Sequence, residues 1–369
     1  MKRIGIITFH SAHNYGAMLQ VYALQKKINE YGKAEVINYR NKEIDKNYRV
    51  LRLSKKSPVA FAKSFVGSVL YFNKNKKRYK SFNTFMKEKL SLTEIYHSEN
   101  ELKKRSPCED IYITGSDQVW NTKITNGLKD SYTLNFGKNE VKRISYAASI
   151  GNGNLTADEK KKFFDKLSRI DFLSVREETG KKCLIDAGIK KDIKVVLDPT
   201  LIITKEEWEK EIENVKKEDG DYILAYIVEE DDNYYEILNK LSKITGLKVI
   251  HFSKKNKQID NVKASKYTEG PLEFVSLIKN AKYVVCTSFH ATVFSIIFNK
   301  KFWVIPHKTT GSRVNDLLNG LNLKDRIVRT IDDFDKKEYD ANICYDEVDK
   351  ILNEKRTESI KWLYNSINN

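Results

Sequence analysis

Short apolar strands alternate with helices along almost the whole chain of 369 residues. In the first half the pattern predicts strands at 4–8, 36–39, 111–114, 144–149, 172–175 and 194–197. Helices are predicted between them, at about 15–31, 157–168 and 177–187, with a pair of helices over 58–90. Strands that alternate with helices pair side by side in a parallel sheet whose two faces the helices cover. The pattern therefore predicts an α/β fold.

The alternation stops at Asp198-Pro199-Thr200 and then restarts. Further strands are predicted at 222–228, 248–252, 283–286 and 302–305, with helices at 232–245, 271–280, 289–299 and 313–321. We predict two Rossmann-like α/β domains that face a central cleft, over residues 1–200 and 201–345. A last helical segment, residues 346–369, is a candidate for packing back on the first domain. Ligands of such folds bind outside the carboxyl ends of the strands.

The formal net charge of +16 indicates anionic partners. Neither a zinc-finger spacing nor an RNA-binding aromatic motif accompanies it, so nucleic acid is not expected. The four cysteines form no CxxC pair, and His10 and His13 have no third ligand close in sequence, so neither a metal nor a disulfide framework is expected. The first apolar run is typical of a strand rather than of a leader. We expect a cytoplasmic protein.

Residues 58–72 are apolar, and residues 74–89 form a strongly basic helix. If the substrate is lipid-linked, this pair could sit on the anionic inner face of a membrane. A packed helix beside a solvated charged one is the more ordinary interpretation of the same pattern.

Basic residues follow several strands of the second half and one of the first. His290 lies in the first turn of the helix after strand 283–286, where helix N–H groups attract anions. Arg176 follows strand 172–175, and Lys308 and Arg313 follow strand 302–305. Cations at several strand ends predict an anionic substrate. A histidine there is a candidate general acid, because the ordinary pKa of histidine lies near neutral pH.

Other strand ends carry polar or aromatic residues with two possible roles. Asn14, Tyr15 and Gly16 suit either acceptor or anion contacts or a purely structural turn. Asp117 suits either a base that accepts a proton from a hydroxyl or a helix cap. Trp120 suits either stacking on a sugar ring or a place in the core.

The strand-end segments, taken in order, carry a family resemblance. They read NYGAMLQ from Asn14, GSDQVWN from Gly115, SVRE from Ser174, LDPT from Leu197 and SFHATVFS from Ser288. Between residue 8 and about residue 321 the chain resembles the bacterial polysaccharide pyruvyl transferase family. The resemblance implies a GT-B-like fold and a transferase without a cofactor. Its reaction would move the enolpyruvyl unit of phosphoenolpyruvate onto two hydroxyls of a sugar, in a cell-wall polysaccharide, an exopolysaccharide or a lipid-linked precursor.

The resemblance also implies roles for single residues. An arginine, a histidine and a downstream basic residue form the phosphoenolpyruvate site of the family. Arg176 matches through SVRE and His290 through SFH, whereas Lys308 and Arg313 both fit the third position. Many relatives carry an arginine two residues before the histidine, where this chain has Ser288. That departure leaves the manner of phosphate binding open. Because a helix amino terminus disfavours imidazolium, His290 would depend on a bound anion to stay charged.

Two other functions fit the same pattern. One is a GT-B glycosyltransferase that uses a nucleotide sugar, with Glu269 or Glu273 as a weak candidate for the ribose contact. The other is a non-catalytic saccharide-binding protein of the same fold. Asp198 and Pro199 are interpreted as structural residues that end the last strand of the first half.

Overall fold

The computed structural model describes residues 1–51, 57–151, 153–254, 258–306 and 311–369. They form two compact units. The first comprises Met1–Tyr48, Phe85–Ile203 and Leu352–Asn369, and the second comprises Arg49–Thr84 and Thr204–Ile351. Residues 49–84 thus group with the second unit. The domain boundary predicted from the sequence, at residue 200, assigns them to the first.

Both units are built on strands of three to seven residues. In chain order these are β1 (Arg3–Ile7), β2 (Lys33–Tyr39), β3 (Leu92–Tyr96), β4 (Ile111–Thr114), β5 (Lys142–Ala148), β6 (Phe172–Val175), β7 (Ile193–Val195), β8 (Ile223–Tyr226), β9 (Val249–His251), β10 (Val262–Ser265), β11 (Tyr283–Cys286) and β12 (Lys301–Val304).

The helices differ much more in length. They are α1 (Tyr15–Ile28), α2 (Lys42–Asp45), α3 (Pro58–Leu70), α4 (Phe72–Lys89), α5 (Glu99–Lys104), α6 (Thr122–Thr125), α7 (Ala157–Lys166), α8 (Glu178–Asp186), α9 (Pro199–Ile202), α10 (Lys205–Glu211), α11 (Asp232–Thr245), α12 (Pro271–Asn280), α13 (Phe289–Ile297), α14 (Ser312–Asn319), α15 (Ile331–Asp335) and α16 (Tyr345–Asn368). Short 3-10 turns cover Lys46–Tyr48 and Lys324–Arg326.

The first unit contains a sheet of seven strands in the order β3-β2-β1-β4-β5-β6-β7. Every pair is parallel. Ile4 of β1 lies opposite Ile111 of β4, and both are buried. The strand order reverses between β1 and β4, which is the point where doubly wound sheets open a ligand crevice.

The second unit contains a parallel sheet of five strands in the order β10-β9-β8-β11-β12. Its order reverses between β8 and β11. All four residues of β11 are buried, as a strand covered by helices on both faces requires. The predicted α/β class with parallel sheets is confirmed. The edge strands β3 and β10 are not predicted by the sequence pattern.

In the described part of the chain, no helix combines the length and the apolar character needed to cross a bilayer.

Candidate functional site

The β1–α1 and β4 loops of the first sheet are tied together by Gln20, a fully buried residue of α1. Its Nε2 donates to Thr8 Oγ1 at 3.1 Å, and its Oε1 accepts from the backbone N–H of Ser116 at 3.1 Å. Thr8 Oγ1 in turn donates to the carbonyl of Ser116 at 2.8 Å. These bonds fix the two loops at the point where the strand order reverses.

Asn14, Tyr15 and Gly16 form the start of α1. Asn14 is its N-cap, and its side-chain oxygen accepts from the N–H of Ala17 at 3.3 Å. Tyr15 is fully buried, and Gly16 is a buried residue of the first turn. In the structure these three residues begin helix α1 and pack its first turn. A contact with substrate stays a prediction for them.

Asp117 lies in the loop after β4 with φ of 70°, in the left-handed region. The carboxylate accepts from the N–H of Gln118 at 2.8 Å, and the residue is buried. The next helix, α6, is capped by Asn121 instead. Asp117 is therefore not a helix cap, because the cap position belongs to another residue.

Trp120 is the core tryptophan of this region and not an exposed platform. It is fully buried, its Nε1 donates to the carbonyl of Tyr132 at 2.9 Å, and its ring packs edge-on against Phe163. A sugar ring cannot stack on a side chain without accessible surface. The predicted sugar-stacking role is therefore wrong for this conformation.

Arg176 follows β6 and lies in a buried cluster of charged groups. Its Nη1 donates to Asp198 Oδ2 at 2.9 Å, and its Nε lies 3.4 Å from Glu177 Oε2. The three side chains are at most 4% exposed. Ser116 also donates to Asp198 Oδ2, at 3.2 Å, and Ser149 donates to Glu177 Oε1 at 2.6 Å. The hydroxyls fix the carboxylates, and the carboxylates fix the guanidinium.

Carboxylates outnumber the cation in this cluster. Although burial acts to lower it, the charges of Glu177, Asp198 and Asp117 raise the pKa of Arg176 above its ordinary value. Asp198 also caps α9, since its Oδ1 accepts from the N–H of Thr200 at 3.0 Å. The sequence alone predicts only a structural role for Asp198. Its place in the LDPT segment was the signal that could have linked it to Arg176.

The carboxyl edge of the second sheet carries His290 and Ser288. Ser288 is the N-cap of α13, and its hydroxyl accepts from the N–H of Ala291 at 3.4 Å. His290 is the second residue of that helix and is 7% exposed. Its ring meets the ring of Phe289 edge-on, with centroids 5.1 Å apart. The predicted position of His290 in a first helical turn after an apolar strand is the one observed.

Arg313 lies beside the ring of Phe289. It is in the first turn of α14, and its guanidinium carbon is 5.8 Å from the centroid of the Phe289 ring. Phe289 thus contacts both His290 and Arg313. The structure brings these two predicted residues to one site within the second unit. Lys308 lies outside the described residues.

His10 and His13 are buried by their own unit. His10 Nε2 is 3.0 Å from Asn38 Oδ1, and Nδ1 is 3.3 Å from the carbonyl of Thr8. Burial and the charge of Arg40 lower the pKa of His10 to about 4. The ring of His13 packs against that of Tyr48. Within the described ranges, no three histidine, cysteine or acidic side chains form a group that could hold a metal ion.

Comparisons with known proteins agree with this picture. The family model described as polysaccharide pyruvyl transferase matches residues 14–309. No curated protein matches the chain. Among solved structures, the S. aureus MnaA–UDP co-structure is 13% identical with a TM-score of 0.53, over 100% of this chain and 98% of that one. A crystal structure of UDP-N-acetylglucosamine 2-epimerase is 10% identical with a TM-score of 0.51, over 98% and 95%. At such identities the likeness shows the fold alone, which is the GT-B type.

Proposed function

This chain belongs to the polysaccharide pyruvyl transferase family and is a transferase, and on that premise we propose that it transfers the enolpyruvyl group of phosphoenolpyruvate to a saccharide. Two hydroxyls of the saccharide become bonded to C2 of the donor and form a pyruvate ketal. The observation that carries the proposal is the family match over residues 14–309, which spans both Arg176 and His290.

The reaction needs a proton donor, a proton acceptor and a place for phosphate. A proton adds to the methylene carbon, a sugar hydroxyl attacks C2, the C2–O bond to phosphate breaks, and the second hydroxyl closes the ketal. The two hydroxyls lose two protons; one goes to the methyl group and the other leaves with phosphate. Phosphoenolpyruvate supplies the activated group, so the step uses no cofactor.

We assign the proton donor and the phosphate site to the second sheet. His290 is the general acid, since an imidazolium can donate a proton near neutral pH. The amino end of α13 at Ser288 and the guanidinium of Arg313 provide N–H donors and positive charge for phosphate. Ser288 replaces the arginine of many relatives, so Arg313 takes on a larger share of the phosphate charge, together with Lys308.

Arg176 is the proposed partner of the donor carboxylate, and Asp117 is the proposed contact of the acceptor hydroxyl. Asp198 and Glu177 hold the guanidinium of Arg176 in one orientation, and guanidinium has five donors in a fixed fork that suits a carboxylate. A carboxylate of this cluster can accept the proton of an acceptor hydroxyl. Asp117, which acts on Arg176 through its charge, is the proposed base for that proton.

Ligand-dependent thermal stability tests the choice of donor. Phosphoenolpyruvate at 100 times its Kd should stabilise the protein by about 2.7 kcal/mol. UDP-N-acetylglucosamine is the competing ligand, and inorganic phosphate controls for anion binding alone. Stabilisation by the nucleotide sugar and not by phosphoenolpyruvate would overturn the proposal in favour of glycosyl transfer. Stabilisation by neither would favour a saccharide-binding protein. Conversion is measured as the mass gained by saccharide precursors that are incubated with protein and phosphoenolpyruvate.

Substitutions test the assigned residues. His290→Ala should lower turnover by about 10²- to 10⁴-fold with little change in Tm, because a general acid contributes that much to rate. His97→Ala, at an exposed histidine, is the matched control. Arg176→Lys should weaken phosphoenolpyruvate binding, because an ammonium cannot form the bidentate contact. Arg3→Lys, at the opposite end of the strands, controls for the loss of a guanidinium. Unchanged turnover or unchanged affinity would remove the residue from the site.

A further inference from the structure

The stretch from Lys46 to Lys87 concentrates the positive charge of the protein. These 42 residues contain 12 lysines and arginines and no aspartate or glutamate. The remaining residues of the chain carry a net charge of only +4. The surface charge is therefore strongly localised on one segment of the sequence.

Helix α3, within this stretch, exposes its apolar side chains, whereas a typical surface helix buries them. Leu70 is 72% exposed, Phe65 is 52% exposed, and Val59, Phe61, Val66 and Val69 are exposed as well. Ser68, in contrast, is 5% exposed. A helix at the surface of a globular protein normally turns its apolar side inward. Helix α3 instead presents a continuous apolar arc, in which Phe61 stacks on Phe65.

Helix α4, which follows directly, is held by polar contacts that leave its lysines outside. Arg78 donates to the carbonyl of Tyr267 at 2.8 Å, Ser81 donates to that of Thr268 at 2.9 Å, and Asn75 accepts from the hydroxyl of Tyr267 at 3.1 Å. Four lysines of the helix start are exposed: Lys74, Lys76, Lys77 and Lys80. The apolar surface of α3 is thus followed at once by fixed positive charge.

We propose that α3 and the start of α4 form a docking surface for an anionic lipid bilayer. An interfacial helix lies in the plane of the membrane with its apolar side among the acyl chains and its basic neighbours at the headgroups. At 13 residues, α3 is about 20 Å long, which suits lying on a bilayer and not crossing it. Each lysine near an anionic surface adds to binding.

Charge decides between a bilayer and a second copy of the chain. An isologous dimer through this surface would bring two acid-free basic segments together, and like charges in contact oppose association. An anionic bilayer provides both an apolar interior for α3 and negative headgroups for α4. This surface is independent of the proposed transfer reaction, although it would suit an acceptor that is carried on a lipid.

Vesicle co-sedimentation of the full-length protein tests the proposal. We expect binding to vesicles of phosphatidylcholine with about 30% phosphatidylglycerol, weaker binding at high salt, and none to phosphatidylcholine alone. Changing Phe65 and Val69 together to Ser should lower the partition coefficient on the order of 100-fold. Changing Lys76, Lys77 and Lys80 together to Gln should lower it by a similar factor, at about fivefold per charge.

Matched controls distinguish binding through this surface from nonspecific binding of exposed apolar or basic residues to vesicles. Phe164→Ser removes an equally exposed phenylalanine, and Gln at Lys161, Lys162 and Lys182 removes three exposed charges in the first unit. Both should bind vesicles as the parent does. No binding of the parent to anionic vesicles would overturn the proposal. So would equal losses in variants and controls. A concentration-dependent dimer that the Phe65 and Val69 changes dissociate, without vesicle binding, would assign the surface to self-association instead.

Discussion

The carboxyl edges of the two sheets occupy the same topological position and have opposite electrostatics. At the first edge Arg176 is enclosed by Asp198 and Glu177, with Asp117 close enough to act on its pKa. At the second edge the predicted residues are an imidazole, a hydroxyl and a guanidinium, arranged around the amino end of α13. A strand edge therefore provides a place for a ligand, and the loop residues decide which charge it accepts.

The two edges also differ in how much their polar groups contribute to the stability of the fold. Charged groups at the first edge are bonded to one another and buried, so that removing one leaves another without compensation. At the second edge the described contacts are a helix cap and contacts between rings and cations, which contribute less to folding. We expect substitutions at the first edge to be costly to the fold and those at the second to be costly mainly to ligand binding.

The largest effect is expected for Asp198→Ala. It leaves a buried guanidinium without its closest carboxylate and removes the cap of α9, so it should lower the free energy of unfolding by about 3–5 kcal/mol. Asp192→Ala, in an exposed ion pair with Lys194, should cost less than about 1 kcal/mol. Urea unfolding of both variants measures the difference. Equal costs would show that the first edge is not a buried ionic cluster, and the contrast between the edges would fail.

The sequence predicted the elements that make these edges, because they have a continuous apolar run or a clear helical period. Strand β11 and helix α12 begin and end at the residues predicted, and β4 and β6 do so as well. Strands β3 and β10 were missed. Apart from the buried Tyr96, their residues are half-exposed or exposed, as at Ile95 and Ser265, so these two strands lack the apolar run that identifies a buried strand.

The sequence predicts where single residues of the candidate site lie in their own strand or helix, but not which of them contact each other. The position of His290 follows from local pattern, because a strand that ends and a helix that begins are both visible in the sequence. The pairing of Arg176 with Asp198 joins residues 22 positions apart through the arrangement of β6 and α9. Likewise, the grouping of residues 49–84 with the second unit depends on contacts with residues near 267. No local period encodes such contacts.

A second prediction concerns the pH dependence of the first edge. Because burial and Arg40 hold the pKa of His10 at about 4, the folded state resists a proton that the unfolded state accepts below about pH 6.5. Stability is therefore full above pH 6.5 and is lost as the pH falls toward 4, by about 3 kcal/mol. His10→Gln should remove this part of the acid sensitivity, whereas His97→Gln, at an exposed position, should not. Urea unfolding at pH 7 and at pH 4.5 measures it, and parallel profiles for His10→Gln and the parent would contradict the assigned cause.

The third prediction concerns ligand binding at the second edge. Arg313→Gln should weaken phosphoenolpyruvate binding by about 10- to 100-fold, because a charge-assisted hydrogen bond to phosphate is lost. The loss of the contact with Phe289 should cost less than about 1 kcal/mol in stability. Arg329→Gln, at an exposed arginine outside the site, is the matched control. Isothermal titration of both variants with phosphoenolpyruvate measures the two Kd values. An unchanged Kd for Arg313→Gln would remove Arg313 from the phosphate site and leave Lys308 as the proposed source of positive charge.

The smallest effect is expected for Ser288→Ala. Its hydroxyl accepts one N–H bond at the start of α13, so its loss should lower the free energy of unfolding by about 1 kcal/mol. Thr156→Ala, at the cap of α7, is the comparison, because that hydroxyl belongs to a complete capping box with Glu159. Similar losses in urea unfolding would mean that Ser288 serves the helix as any cap does. A loss well above that of Thr156→Ala would mean that the polar groups of the second edge also stabilise the fold. The proposed contrast between the two edges would then be wrong.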